Sequence, residues 1–96
     1  MLNVHKQTLA EDDLIGIWLY SFEQWGADQA DAYLDKLQAG IDQLARNPTI
    51  GKACDHIRRS YRRLHVERHL IYYRVIQNRI EIVRVLHDSM EPDLHL

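Results

Sequence analysis

The stretch HLIYYRVIQNRIEIVRVLHDSMEPDLHL, His69 to Leu96, decides the fold. In it Ile71, Tyr73 and Val75 alternate with Tyr72, Arg74 and Ile76, and Ile80, Ile82, Arg84 and Leu86 alternate with Glu81, Val83 and Val85. A period of two is the mark of extended strands, and Gln77-Asn78 between the runs supplies a tight turn. Both faces of each run are largely apolar, so the hairpin is predicted to carry helices on one side and to stay partly open on the other. The pattern stops at Leu86. From His87 to Asp93 the chain turns polar and contains a proline, which reads as a tail that gives the core little.

Working outward, Tyr61 to Val66 reads as a further strand, with Leu64 and Val66 inward and Arg63 and His65 outward, joined to the His69 run by a Glu67-Arg68 turn. Thr49 to Ser60 reads as a loop with Gly51 at its turn. Upstream, Leu14, Ile17, Trp18, Ser21 and Trp25 recur at helical spacing and predict a helix from about Leu9 to about Gln24. Thr8 stands as its N-cap, because Glu11 follows three residues later in capping-box register. Gly26 breaks this helix. Ala30, Tyr33, Leu34, Leu37, Ile41 and Leu44 then repeat on one face of a second helix, ended by Asn47-Pro48. So short a connection makes the helices an antiparallel hairpin whose joint apolar face must lie on a sheet. The aromatic stripe Trp18, Trp25 and Tyr33 is expected in that core. Met1 to Lys6 alternates Leu2 and Val4 with Asn3 and His5, a short first strand. The fold class is α+β, in the order β-α-α-β-β-β, with a helical hairpin on a small antiparallel sheet.

A chain of 96 residues makes one domain, residues 1–96, near the lower limit for a self-sufficient core. With 46% hydrophobic and 27% charged residues the composition is globular. No apolar run is long enough to span a bilayer and no secretion-signal pattern opens the chain, so a cytoplasmic protein without membrane association is expected. The single cysteine, Cys54, rules out an internal disulfide and reads as a small loop residue.

The net charge of -2 hides an asymmetry. Residues 1–50 carry three bases against eight acids, whereas Lys52 to Arg84 carries nine bases, eight of them arginine, against three acids. The sheet half is therefore expected to attract an anionic partner, since arginine suits bidentate contacts with carboxylates. The alternative is that strand-edge arginines only suppress aggregation.

No glycine-rich phosphate loop, CxxC or HExxH occurs, and the six histidines never take metal-ligand spacing, so no cofactor or metal is indicated. His65 and His69 flank a turn and read as surface residues. The one candidate for acid–base work is His87, with Arg84 three residues back and Arg58 or Arg59 arriving from the loop. Cleavage of RNA by its own 2′-hydroxyl needs a proton acceptor, a proton donor and a cation for the phosphorane. His87 and Arg84 supply two of these, and no tyrosine, lysine or second histidine stands beside them in sequence.

The order of elements, WGADQADAYLDKL at the hairpin, LARNPTIGKACDHIRRSYRR in the linking loop, and HLIYYRV and IVRVLHDSMEPDLHL in the sheet and tail resemble the ParE toxin family over nearly the whole chain. The resemblance implies the RelE/ParE fold and the toxin half of a type II toxin–antitoxin module. It further implies a protein that is not an enzyme, inhibits DNA gyrase, and is held in a hetero-oligomer by a ParD-like antitoxin, without sequence-specific nucleic-acid binding. Arg84, His87 and Met90 match an end-of-strand RxLHxxM pattern and are the expected target-binding and toxicity residues. Gly51, Arg58 and Tyr61 match the family's loop and second-strand pattern, and Arg58, Arg59, Tyr61, Arg62 and Arg63 are the expected antitoxin-binding set. Ser89 stands where relatives often have a base. A RelE-like ribosome-dependent mRNA endonuclease and an inactive antitoxin-binding paralogue are the alternatives. The His87 to Leu96 tail is expected to carry toxicity, and the residues after Asp88 to be dispensable for stability.

Overall fold

A computed structural model describes all 96 residues. Chain order is β1 (Asn3–Lys6), α1 (Thr8–Trp25), α2 (Ala27–Arg46), β2 (Lys52–Ala53), β3 (Arg62–Val66), β4 (His69–Ile76) and β5 (Arg79–His87), followed by a 3-10 turn at Pro92–Leu94. The β4–β5 hairpin is the centre of a five-stranded sheet ordered β1-β5-β4-β3-β2. Its turn is the two-residue Gln77-Asn78, both left-handed with φ 50° and 61°. That is the type I′ sense that matches strand twist.

Two differences from the sequence reading concern the sheet's edges. Residues 49–60 are not all loop, because Lys52 and Ala53 pair with Arg63 and Arg62. And β1 runs parallel to β5, with Val4 opposite Ile80, while the other three pairings are antiparallel. The helical hairpin carries the chain across the sheet and back, so β1 ends beside the last strand and the sheet is mixed.

The helices join through one residue. Gly26 sits at φ 89°, a conformation that favours glycine, and its N–H bonds the Phe22 carbonyl at 2.9 Å while its carbonyl accepts from Ala30. At the other end of α1 the expected cap is absent. Thr8 is already helical, Gln7 holds the cap position without a side-chain bond, and Glu11 N–H bonds the Gln7 carbonyl. The β1 residues run directly into the helix, which moves the boundary one residue forward.

On the helix side of the sheet, Ala10 of α1 and Leu37, Ile41 and Leu44 of α2 pack on Ile71, Tyr73, Ile80, Ile82 and Val85, all fully or almost fully buried. Each such aliphatic side chain contributes about 1.5–3 kcal/mol. Gly51 is required here by clearance and not by turn geometry: a Cβ on it would stand 2.6 Å from Tyr73 Cε1. Its N–H instead donates to the Tyr73 hydroxyl, which donates to the Pro48 carbonyl at 2.8 Å. On the opposite side a smaller cluster joins Cys54, Tyr72 and Leu86, with Ile57, Tyr61, Leu70 and Leu96 against it.

The strict alternation read along β5 fails midway. Tyr72 pairs with Arg84 and Tyr73 with Ile82, leaving Val83 as a bulge. Beyond it the side chains change faces, so Val85 joins Ile80 and Ile82 in the main core while Leu86 crosses to the smaller cluster.

Two expectations about burial are corrected. The aromatic stripe is core only in part: Tyr33 packs against the main cluster, whereas Trp25 is 64% exposed and Trp18 is half-buried, stacked on the exposed Phe22 and bonded through Nε1 to Asp31. The tail is not loose. Leu96 packs on the smaller cluster, its carbonyl accepts from Arg58, and the His95 carbonyl accepts from Arg84 Nη1 at 2.9 Å.

Candidate functional site

Because the N-terminal half of α1 and the C-terminal half of α2 are the parts seated on the sheet, the hairpin's turn end stands away from it. This leaves a groove of about 820 Å³ between the hairpin and the ends of β4 and β5. Ile17, Tyr20, Trp25 and Met90 form its apolar walls, and Tyr33, His69, His87 and Arg84 lie among its polar lining.

The polar lining is a connected network. The Tyr33 hydroxyl accepts from the Arg68 N–H at 3.2 Å and is hydrogen-bonded to His69 Nδ1, 2.6 Å away. The His69 ring meets the His87 ring edge-on, centroids 5.3 Å apart. Ser89 N–H donates to His87 Nδ1 at 3.1 Å. Burial, with the neighbouring His87 as second cause, lowers His69 to a pKa of about 4, so it is neutral at physiological pH. Burial likewise raises the Tyr33 hydroxyl. His69 is therefore a half-buried residue of the groove and not the surface histidine its place beside a turn implied.

Arg84, expected as a target contact, is bound internally. Its Nε and Nη2 each lie 2.8 Å from a carboxylate oxygen of Asp13, whose Oδ2 also accepts the Val85 N–H at 2.9 Å. Both side chains are about 85% buried, and the Asp13 bonds raise the guanidinium above its already high pKa. Past Ile82 the β5 edge has lost β1 as a neighbour, and Asp13 fills that gap. His87 and Met90 remain on the groove, so of the RxLHxxM residues two line the groove wall and one fastens α1, β5 and the tail together.

The arginine set of the linking loop and β3 lies elsewhere; none of Arg58, Arg59, Tyr61, Arg62 or Arg63 lines the groove. Arg62 holds the β2 loop through the Gly51 carbonyl at 2.8 Å, Arg63 approaches the Tyr72 hydroxyl at 3.4 Å, and Arg74 lies over the Tyr61 ring. No Asp or Glu side chain pairs with Arg58, Arg59, Arg62, Arg63 or Arg74. The basic character read from composition is thus a set of arginines on the linking loop and both faces of β3 without Asp or Glu partners. No three His, Cys, Asp or Glu side chains are grouped to hold a metal. No helix is long and apolar enough to cross a membrane.

Asp13, Tyr33 and His69 line the groove, and the sequence reading assigned none of them to a site. Tyr33 and His69 are 36 positions apart and Asp13 and Arg84 are 71 apart, so no local spacing links them. An acid on the sheet side of α1, close to Ala10, Leu14 and Ile17, was the one available signal.

Comparison with known proteins decides the family. A profile described as "ParE toxin of type II toxin-antitoxin system, parDE" matches residues 5–92. The chain belongs to the ParE toxin family. It is 47% identical over 88 residues to "Toxin ParE1" of Mycobacterium tuberculosis (strain CDC 1551 / Oshkosh), covering 91% of this chain and 90% of that one. It is 44% identical over 87 residues to "Toxin ParE1" of Caulobacter vibrioides, with the same coverage. In fold it is similar to a chain of the chromosomal ParDE TA system from P. aeruginosa, with a TM-score of 0.81 at 19% identity, covering 91% of this chain and 96% of that one. It is also similar to a chain of the YoeB-YefM complex from Staphylococcus aureus, with a TM-score of 0.61 at 19% identity and coverage of 91% and 97%. The RelE/ParE fold expected from the motifs is the fold observed.

Proposed function

We propose that this ParE-family toxin inhibits DNA gyrase and is neutralised by a ParD-like antitoxin in a cytoplasmic hetero-oligomer. The observation that carries the antitoxin half is the pairing, on one small domain, of the apolar groove under the hairpin with a set of arginines that have no Asp or Glu partners. An amphipathic segment laid in the groove, with acidic residues continuing to Arg58, Arg59, Arg62 and Arg63, satisfies both. Since the two surfaces are separate, the segment must wrap around the fold and not sit at one spot. His87 and Met90, at the groove's rim on the sheet side, are the proposed target contacts, with Arg84 holding the strand and tail that carry them.

One observation favours the RelE-like reading. The neighbours that His87 lacks in sequence are present in space, because His69 is in ring contact and Tyr33 is bonded to His69. The chemistry argues against it: a general base works best with a pKa near the operating pH, and His69 sits near 4 with its Nδ1 occupied. Purified protein in a gyrase supercoiling assay, run beside ribosome-dependent translation, separates the readings. Loss of supercoiling with translation intact supports ours; cleavage of messenger RNA that His87→Ala abolishes replaces it, and inertness in both with antitoxin binding retained identifies an inactive paralogue.

A further inference from the structure

The groove is not uniformly apolar, and its polar end has a defined hydrogen-bond sense. Ser89 N–H donates to His87 Nδ1, and with the Tyr33 proton assigned to its 2.6 Å bond with His69, the Nδ1 of that ring accepts as well. A ring whose Nδ1 accepts carries its proton on Nε2. Neither Nε2 has a hydrogen-bond partner in the protein, and both residues line the groove. Two solvent-accessible N–H donors without a protein partner thus stand in ring contact in a groove walled by Ile17, Tyr20, Trp25 and Met90.

The charges around them favour an anion. The groove lining holds Lys36, Arg68 and Arg84 against one acid, Asp13, which Arg84 already engages. From the other elements packed here, Glu67 faces Lys36 at 3.6 Å, and Asp88 faces His65 at 3.3 Å and His87 Nδ1 at 3.4 Å, on the side away from Nε2. His69 stays neutral well below physiological pH, so it acts as a fixed donor and not as a charge that comes and goes.

We propose that the His69–His87 pair is a carboxylate-binding subsite, which takes one Glu or Asp side chain flanked by large apolar residues, presented by the antitoxin segment. This rests on the antitoxin reading above for the source of the carboxylate, and on the groove alone for its chemistry. An acceptor-only group answers both donors at once, and the apolar walls exclude the water that competes for it. A Gln in the same place presents one acceptor and two surplus donors.

The test uses the whole folded chain and two capped peptides, acetyl-Leu-Glu-Leu-Leu-amide and its Gln counterpart, with imidazole 15N NMR as readout. The Glu peptide is expected to shift the His69 and His87 Nε2 resonances and to bind about tenfold more tightly than the Gln peptide. His87→Ala should abolish that preference, and Tyr33→Phe, which frees the His69 tautomer while keeping the ring packed, should reduce it. Equal affinity for the two peptides, binding of neither, or shifts of the same resonances by inorganic phosphate at equal concentration would overturn the proposal. The antitoxin reading fails separately, if a ParD-type antitoxin does not bind the intact toxin at all.

Discussion

Arg84 and Asp13 close on each other through two 2.8 Å hydrogen bonds across 71 positions of sequence, and the same carboxylate caps the free edge of β5 at Val85. Removing either partner leaves a mostly buried charge uncompensated. Asp13→Ala and Arg84→Ala are each expected to cost about 2–4 kcal/mol in urea unfolding. The double variant should lose little more than either single one, since both act on one interaction. Full additivity would show that the two side chains act independently.

Gly51 offers a sharper steric test. The Tyr73 ring fills the space where a side chain would begin, and its hydroxyl links Gly51 N–H to the Pro48 carbonyl. Gly51→Ala should therefore destabilise by about 1–3 kcal/mol, read as a lowered thermal midpoint. Tyr73→Phe removes the bonds but not the bulk and should cost less, about 1 kcal/mol. A Gly51→Ala protein with unchanged stability would mean that the loop yields freely.

The elements were legible because their signals are local. Period two in His69 to Ile76, period 3.6 in Ala30 to Leu44, and Gly26 between the helices each read correctly without tertiary information. What failed needed partners distant in sequence. The bulge at Val83 reverses the β5 alternation because of pairing with Tyr72 and Tyr73, and nothing in IEIVRVL announces it. Trp25 looks like core by spacing yet lies past the sheet's end, where the hairpin has nothing beneath it. The site was half legible: His87, Met90 and Arg84 stand in one motif, while Tyr33, His69 and Asp13 enter only through folding.

His69 gives the protein an acid sensitivity whose sign is fixed. Its folded pKa of about 4 lies below the ordinary 6.5, so the unfolded chain binds the extra proton first between those values. Stability contributed by the neutral ring is complete above about pH 6.5 and is lost as pH falls towards 4. Discounted for the ring's partial exposure, the loss is about 1–2 kcal/mol, or several degrees in Tm. His69→Gln should flatten that part of the stability–pH curve. The same slope in wild type and variant would assign the effect to carboxylates.

The tail offers the most decisive contrast, because sequence and structure disagree on it. Read as sequence, residues after Asp88 are dispensable; in the structure Leu96 covers Cys54, Tyr72 and Leu86, and the His95 and Leu96 carbonyls bind Arg84 and Arg58. Cys54 is 0% exposed, and burial raises its thiol pKa, so it should react slowly with an aromatic disulfide reagent in the intact protein. Deletion after Asp88 is expected to cost about 2–4 kcal/mol, from the lost Leu96 burial and two hydrogen bonds, and to make Cys54 react many times faster. Loss of toxicity in that deletion would then report unfolding as much as a missing contact. Met90→Ala is the cleaner variant, since Met90 is 45% exposed on the groove rim and touches neither cluster. It should keep the wild-type Tm and Cys54 reactivity while weakening supercoiling inhibition. A Met90→Ala protein as toxic as wild type would remove Met90 from the proposed target contact and leave His87 to be tested alone.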